Sequence, residues 1–304
     1  MKIVILAGGL GSRLSEFTEM MPKPMLQIGR YPILWHIMNH YAHHGFKEFI
    51  IACGYKAEMI KNYFFFVFPL HADYTLDMGT GKWKVHVDPV RSEYFKRRTK
   101  KENNVPFEVH KVLHEDPIFV NWKVSLVDTG QATMTGGRVR RLAEFIGNER
   151  FCLTYGDGVS DVDIRKELKF HESHKKIATM TVVHPPARFG TLEIRDGLVQ
   201  NFQEKAPVQS GWINGGFFIL EPEVINYIDS DATSFEKEPL ERLASAKQLV
   251  PFQHEGFWQC MDTKKDWEYL NELWNSGKAP WKMDNTRRRA SRASGPKMLN
   301  MEIY

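Results

Sequence analysis

The chain has 304 residues, 42% of them apolar and 26% charged, which is ordinary for a globular enzyme and enough to bury a sizeable core in one large domain or two closely joined ones. No apolar run of about 18 residues occurs, and the IVILA that follows Lys2 is shorter than a signal-peptide core of ~7–15 residues, so a cytoplasmic protein without a membrane span is expected. The net charge of +4 argues little for nucleic acid, because Arg287, Arg288, Arg289, Arg292 and Lys297 against Asp284 and Glu302 place +3 of it in residues 284–304.

Short β-type runs alternate with helical patterns along the chain. KIVILA (2–7) and KEFIIAC (47–53) are continuous apolar runs, as in parallel strands covered on both faces. Between them PILWHIMNHYAHHG has a proline in its first turn, apolar residues at helical spacing and a stop at Gly45, which completes a βαβ unit. His36, His40 and His44 recur at i, i+4 and i+8 with His43 beside them; lacking HExxH and a cysteine partner, they read as a half-exposed helix face and not as a zinc site. FFFVF (64–68) reads as core or subunit interface. Residues 79–116 hold a basic excursion in which Lys82, Lys84, Arg91, Lys96, Arg97 and Arg98 interleave with Trp83, Tyr94 and Phe95, read as a solvated segment over an opening or against a neighbouring subunit.

VSLVD (124–128) precedes a helix from about Gly137 to Ile146, and RFCLTYGDG (150–158) precedes the helical DVDIRKELKFHESH. KIATMTVVH is a further strand, and TLEIRDGLVQNFQEK alternates as a hairpin with a type I′ turn at Asp196 and Gly197. GGFFIL (215–220), a helix with Pro222 near its start, a helix near 236–246 and the helical DTKKDWEYLNELWNSG (262–277) finish the body. Residues 284–304 are too polar to offset the entropy of ordering and are expected to be disordered. Cys53, Cys152 and Cys260 lie far apart without CxxC spacing and are expected to be free thiols.

The stretch LAGGLGSR (6–13) sets a glycine turn directly after the first strand, where backbone N–H groups can approach phosphate without a Cβ in the way. It is not a dinucleotide fingerprint, because a GxGxxG counted from Gly9 ends on Leu14, and it is not a GxxxxGK loop, because Arg13 follows Ser12. Ten residues on, Lys23 stands between Pro22 and Pro24, whose fixed φ angles reduce the entropy lost in holding an ammonium in place. Asp157, in GDG at a strand end, is a candidate ligand for a hard cation. GxSxG is absent, so hydrolase chemistry has no support. TGQATMTGGR (129–138) either lines a nucleotide site or starts a helix with Thr135 as cap, and NGG (214–216) is either a hexose contact or a tight turn.

AGGLGSRL with PKPM resembles the sugar-phosphate nucleotidyltransferases, also called nucleotide-sugar pyrophosphorylases. The likeness runs through residues 1–283 by way of LTYGDGVSDVDI, FGTLEI, FQEK, INGGFFIL, EPLERLA, GFWQCMDT and LWNSGKAPWK, and departs in the 79–116 excursion and after Met283. It implies an α/β fold: a Rossmann-like, mixed, mainly parallel sheet flanked by helices, of the nucleotide-diphospho-sugar transferase type, with a smaller β-rich sugar-binding part. The implied activity is transfer of the cytidylyl group of CTP to α-D-glucose 1-phosphate, giving CDP-glucose and pyrophosphate. A relative using UTP or dTTP with another sugar phosphate, or a non-catalytic nucleotide-binding protein, are the alternatives.

The resemblance also implies roles. Leu6, Ala7, Gly8, Gly9, Leu10, Gly11 and Ser12 would bind the nucleotide together with Thr133, Arg138 and Gly156. Arg13 would hold the β- and γ-phosphates, Lys23 the α-phosphate and Lys205 the sugar phosphate. Glu204, Asn214, Gly215 and Gly216 would bind the sugar, and Asp262 would share one Mg²⁺ with Asp157. A homo-oligomer supplying precursors of bacterial surface polysaccharide is the setting the resemblance implies, with no nucleic-acid or membrane partner.

Overall fold

The computed structural model describes residues 1–11, 14–66, 73–79, 82–86, 122–185, 191–195, 198–203 and 211–282. Among the described residues the strands are β1 (Lys2–Leu6), β2 (Gln27–Ile28), β3 (Tyr31–Pro32), β4 (Glu48–Cys53), β5 (Asp73–Asp77), β6 (Lys82–His86), β7 (Lys123–Asp128), β8 (Phe151–Tyr155) and β9 (Gly158–Ser160). They continue with β10 (Ala178–Val183), β11 (Thr191–Arg195), β12 (Leu198–Gln203), β13 (Ile213–Leu220), β14 (Leu249–His254) and β15 (Trp258–Cys260). Seven of them form one sheet in the order β14-β10-β13-β8-β1-β4-β7. Every pairing in it is parallel except the two made by β13, which runs against β8 and β10. The sheet is therefore mixed and mainly parallel, as the resemblance implies.

The apolar runs explain why β1 and β4 are central. Ile3, Ile5 and Ala7 pack into one core, and Val4 and Leu6 into another on the opposite face. Burial on both faces requires a continuous apolar strand and not an alternating one. On the first face lie helices α1 (Ile33–His43) and α2 (Ala57–Phe66), through Ile33, Leu34, Ile37, Met38 and Ile60. On the second face lie α3 (Thr135–Arg141) and α4 (Glu238–Ser245), through Val139, Leu240 and Leu243. No helix among the described residues is long and apolar enough to cross a membrane.

Several expectations need correction. The helix expected from Gly137 to Ile146 begins at Thr135 and breaks at Leu142, after which a short turn, Ala143–Ile146, follows. The Pro222 helix is a 3₁₀ helix, Pro222–Tyr227. The histidine face of α1 is not half-exposed: His36 and His40 are buried, and burial lowers their pKa values to about 4 and about 3. Both are neutral core residues at physiological pH. His36 Nε2 bonds the Ile28 carbonyl at 2.9 Å, so this part of the pattern fixes the β2–β3 hairpin against α1. The β11–β12 hairpin forms as expected, while its turn at 196–197, most of the 79–116 excursion and the tail from 284 lie outside the described residues.

Helix α5 (Ile164–His174) is capped by Asp163, which accepts bonds from the N–H groups of Arg165 and Lys166. One turn in, it buries Glu167, 1% exposed, whose Oε1 accepts from Thr181 Oγ1 at 2.7 Å. Desolvation raises the pKa of this acid from 4.5 to about 7, with the Thr181 bond opposing. An acid with a raised folded pKa favours the native state at low pH, and that contribution is lost as pH rises from 4.5 through 7. Glu167→Gln keeps an acceptor for Thr181 and removes the charge. It should leave urea stability nearly unchanged near pH 4 and raise it at pH 8 by up to ~3 kcal/mol. Equal stability of the two proteins at pH 8 would contradict the assignment.

Candidate active site

The carboxyl ends of the parallel strands share one sheet edge, where open α/β sheets bind ligands. A cavity of about 440 Å³ opens there. Its floor is the glycine turn after β1, from Leu6 to Gly11, with Lys23 and Pro24 on one side and Gly156 and Asp157 after β8 on another. The fourth wall is the segment Gln131–Thr135 with Arg138 of α3.

Close approach accounts for the turn's composition. A Cβ on Gly8 would run into the Arg138 guanidinium and the Gly54 nitrogen, and Gly11 has φ +64°, which L side chains rarely adopt. Arg138 is 4% exposed and its bonds go inward. Nη1 donates to the Cys53 carbonyl (3.2 Å), Thr129 Oγ1 (2.7 Å) and the Gly130 carbonyl (2.8 Å); Nη2 donates to the carbonyls of Gly8 (2.9 Å) and Gln131 (3.3 Å). One buried cation thus ties the glycine turn, the end of β4 and the loop after β7 into a single wall. Desolvation lowers its pKa, with Asp128 opposing.

Two paired strands bring the carboxylates together. Gly158 of β9 lies opposite Cys260 of β15, so Asp157, just before one strand, and Asp262, just after the other, are neighbours. Their backbones are joined where Met261 N–H donates to the Asp157 carbonyl at 2.9 Å. Lys23 enters from a short 3₁₀ helix, Lys23–Met25, preceded by Pro22 at φ −68°. Its Nζ lies 2.7 Å from Asp157 Oδ2 and 2.7 Å from Asp262 Oδ1. The ammonium is nearly enclosed; burial pulls its pKa down, but the two carboxylates outweigh this and hold it above 10.5. The β2–β3 hairpin that follows the lysine is fastened to helix α6 (Lys264–Asn275), where Trp267 Nε1 donates to the Gln27 carbonyl at 2.8 Å and Gly29 N–H to Asn271 Oδ1 at 2.9 Å. Lys23 and Asp262 are therefore carried by elements bound to each other.

Asp262 does not cap α6. That is done by Thr263 and Asp266 in a reciprocal capping box, so the Asp262 carboxylate is not spent on the helix end and reaches the lysine. Nor does Thr135 cap α3: the cap position is Met134, and the Thr135 hydroxyl accepts from Phe235 N–H and donates to Glu236 Oε2 at 2.6 Å. The other oxygen of Glu236 accepts from Tyr155 at 2.6 Å. Burial first, and Glu236 second, raise the pKa of that phenol well above its usual value.

The sugar candidates sit next to this link. Because β13 is antiparallel to β8, it begins at the edge where the other strands end, and Asn214, Gly215 and Gly216 lie at its start. Asn214 Oδ1 accepts from Gly216 N–H at 2.8 Å. Ser12, Arg13, Glu204 and Lys205 lie outside the described residues. Gln131, Ala132, Met134, Thr135 and Tyr155 line the cavity without having been singled out as nucleotide-binding, although Tyr155 directly precedes GDG and the others fall within TGQATMT.

Two carboxylates that already share one cation at 2.7 Å each suit a hard ion. Among the described residues no group of three or more His, Cys, Asp or Glu could form a full cage. This donor set fits a divalent ion that takes its remaining oxygens from water and phosphate, as Mg²⁺ does.

A glycine turn on a strand end and a lysine shared by two carboxylates beside a cavity of about 440 Å³ are the parts that nucleotidyl transfer on an α/β sheet calls for. The nucleotidyl transferase family matches residues 2–65 and 88–270, and the chain belongs to that family. It is 50% identical over 283 residues to the glucose-1-phosphate cytidylyltransferase of Salmonella typhimurium, which covers 93% of this chain and 99% of that protein. To the probable glucose-1-phosphate cytidylyltransferase of Bacillus subtilis it is 38% identical over 284 residues, 93% of this chain and 100% of that one. Among solved structures it resembles HddC from Yersinia pseudotuberculosis, with 23% identity and a TM-score of 0.57 over 90% of this chain and 99% of that one, a likeness of fold.

Proposed function

We propose that the chain transfers the cytidylyl group of CTP to α-D-glucose 1-phosphate, releasing pyrophosphate and CDP-glucose. The observation that carries the reaction type is the meeting of Lys23, Asp157 and Asp262, the first two of which line the glycine-turn cavity. Support for cytosine and glucose is the identity to the two cytidylyltransferases over nearly their whole length.

The sugar phosphate is ionised at neutral pH, so one of its oxygens attacks the α-phosphorus in line and needs no general base. A new P–O bond forms as the bond from the α-phosphorus to the bridging oxygen breaks, and pyrophosphate takes that electron pair. The protein's task is alignment and charge neutralisation. Lys23 steadies the α-phosphate, the glycine turn offers N–H groups, and Arg13 and Lys205 serve the leaving pyrophosphate and the sugar phosphate. Asp157 and Asp262 would hold Mg²⁺, which when bound offsets charge on the phosphates. Thr133 and the Gln131–Met134 backbone border the base, and Asn214, Gly215, Gly216 and Glu204 the hexose. A cytoplasmic homo-oligomer in which residues 1–283 form the catalytic domain completes the reading.

The test is a matrix of nucleoside triphosphates against hexose 1-phosphates, with and without Mg²⁺, read by pyrophosphate release. Release is expected with CTP and glucose 1-phosphate in Mg²⁺, and little with UTP or dTTP. Equal release with all three nucleotides would defeat the cytosine assignment.

A further inference from the structure

We infer that Asp266 is a positioning residue for Asp262, fixing the carboxylate that faces Lys23, and so sets the affinity of the site for its divalent ion. The inference rests on the proposed nucleotidyl transfer and deepens it. Asp266 lies on the first turn of α6 and its carboxylate is fully committed to the segment that carries Asp262. Oδ2 accepts from Asp262 N–H at 3.1 Å, from Thr263 N–H at 2.7 Å and from Thr263 Oγ1 at 2.8 Å. Oδ1 accepts from Gln259 Nε2 at 3.0 Å, and that amide, 4% exposed, also donates to the Cys260 carbonyl at 2.8 Å.

A capping box alone needs only the reciprocal bonds between the cap residue and the third helical position. Here the same carboxylate also grips the backbone of Asp262 and, through Gln259, the last strand before it. Asp262 is thereby held at its own N–H, at Thr263 after it and, through Gln259, at Cys260 two residues before it, and Cys260 Sγ donates to Asp262 Oδ2 at 3.3 Å. With Oδ2 occupied, Oδ1 is the oxygen turned to Lys23 at 2.7 Å. Partners that orient a metal-binding carboxylate change metal affinity by ~10–100-fold when removed.

The test is equilibrium binding of cytidine 5′-(α,β-methylene)triphosphate to the full chain, with and without Mg²⁺, alongside kcat and urea stability. In Asp266→Ala the gain in affinity that Mg²⁺ confers should fall by about tenfold or more, with metal-free binding unchanged. Asp266→Asn keeps a carbonyl oxygen for the three donors now on Oδ2 and should retain most of the gain. Asp163→Ala is the control, since Asp163 caps α5 through bonds of 3.0 and 3.1 Å and touches none of this network. It should lose stability and keep the full Mg²⁺ gain. The inference is overturned if Asp266→Ala keeps the gain undiminished, or if Asp163→Ala loses as much. A wild-type protein without any Mg²⁺ gain or pyrophosphate release would be a different failure, that of the nucleotidyl-transfer reading, and the inference would fall with it.

Discussion

Lys23→Ala will lower kcat by ~10²–10³-fold with CTP and glucose 1-phosphate, the loss seen when one preorganised donor to a developing oxyanion is removed. A second effect comes with it. In the intact protein one ammonium lies between Asp157 and Asp262 at 2.7 Å from each and offsets one of their two charges, and without it the two carboxylates repel. Asp262 is nearly enclosed while a third of the Asp157 side chain meets solvent, so water shares the cost, and a loss of ~1–3 kcal/mol in metal-free urea stability is expected. Mg²⁺ should restore part of that stability and none of the turnover. Wild-type turnover in Lys23→Ala would remove the lysine from the mechanism.

Arg138→Ala is the second large change. It deletes the donors to four main-chain carbonyls and the Thr129 hydroxyl from a site that is 4% exposed. The Cys53 and Gly8 carbonyls keep bonds from the N–H groups of Thr129 and Tyr55, so the acceptors that lose most are those of Gly130 and Gln131; at ~1–3 kcal/mol for each, less relaxation, a loss of ~2–5 kcal/mol by urea denaturation is expected. Arg138→Lys, with a single ammonium, reaches too few of these acceptors to rescue it. KM for CTP should rise sharply, because the Gly8 carbonyl and the loop after β7 are held by the same guanidinium. If instead Arg138→Ala stays stable and accepts UTP as readily as CTP, the guanidinium reads the base and does not hold the wall.

Much of this site was legible because its chemistry lies in local strings. The glycine turn after KIVILA, the PKP lysine and Asp157 in GDG each sit where strand ends put them, and β1, β4, β7 and β8 follow from apolar runs. What was not legible depends on distant partners. β14 was missed because Pro251 interrupts LVPFQH, and a proline is tolerated there since β14 is an edge strand of the sheet. The helical spacing of the α1 histidines has no sign that says whether a polar face is buried, and the α6 side of the site covers it: His36 stacks edge-on to Trp274 with ring centroids 4.6 Å apart. Glu236 gave no signal because its partners, Tyr155 and Thr135, are 81 and 101 residues away. Asp262 was paired with Asp157 by resemblance alone, and the β9–β15 ladder supplies the physical reason.

The sheet order has a consequence for how the chain is made. β1 sits between β4 and β8, and its Lys2 pairs with Phe151, so half of its edge has no partner until the ribosome has delivered about half of the sequence. Until then a strand with no polar side chain beyond Lys2 presents free N–H and C=O groups, the template on which nascent chains stick to one another. The closing strand is the one that carries Tyr155 and leads into Asp157, so the step that ends this vulnerable interval is also the step that first assembles the phosphate-facing edge.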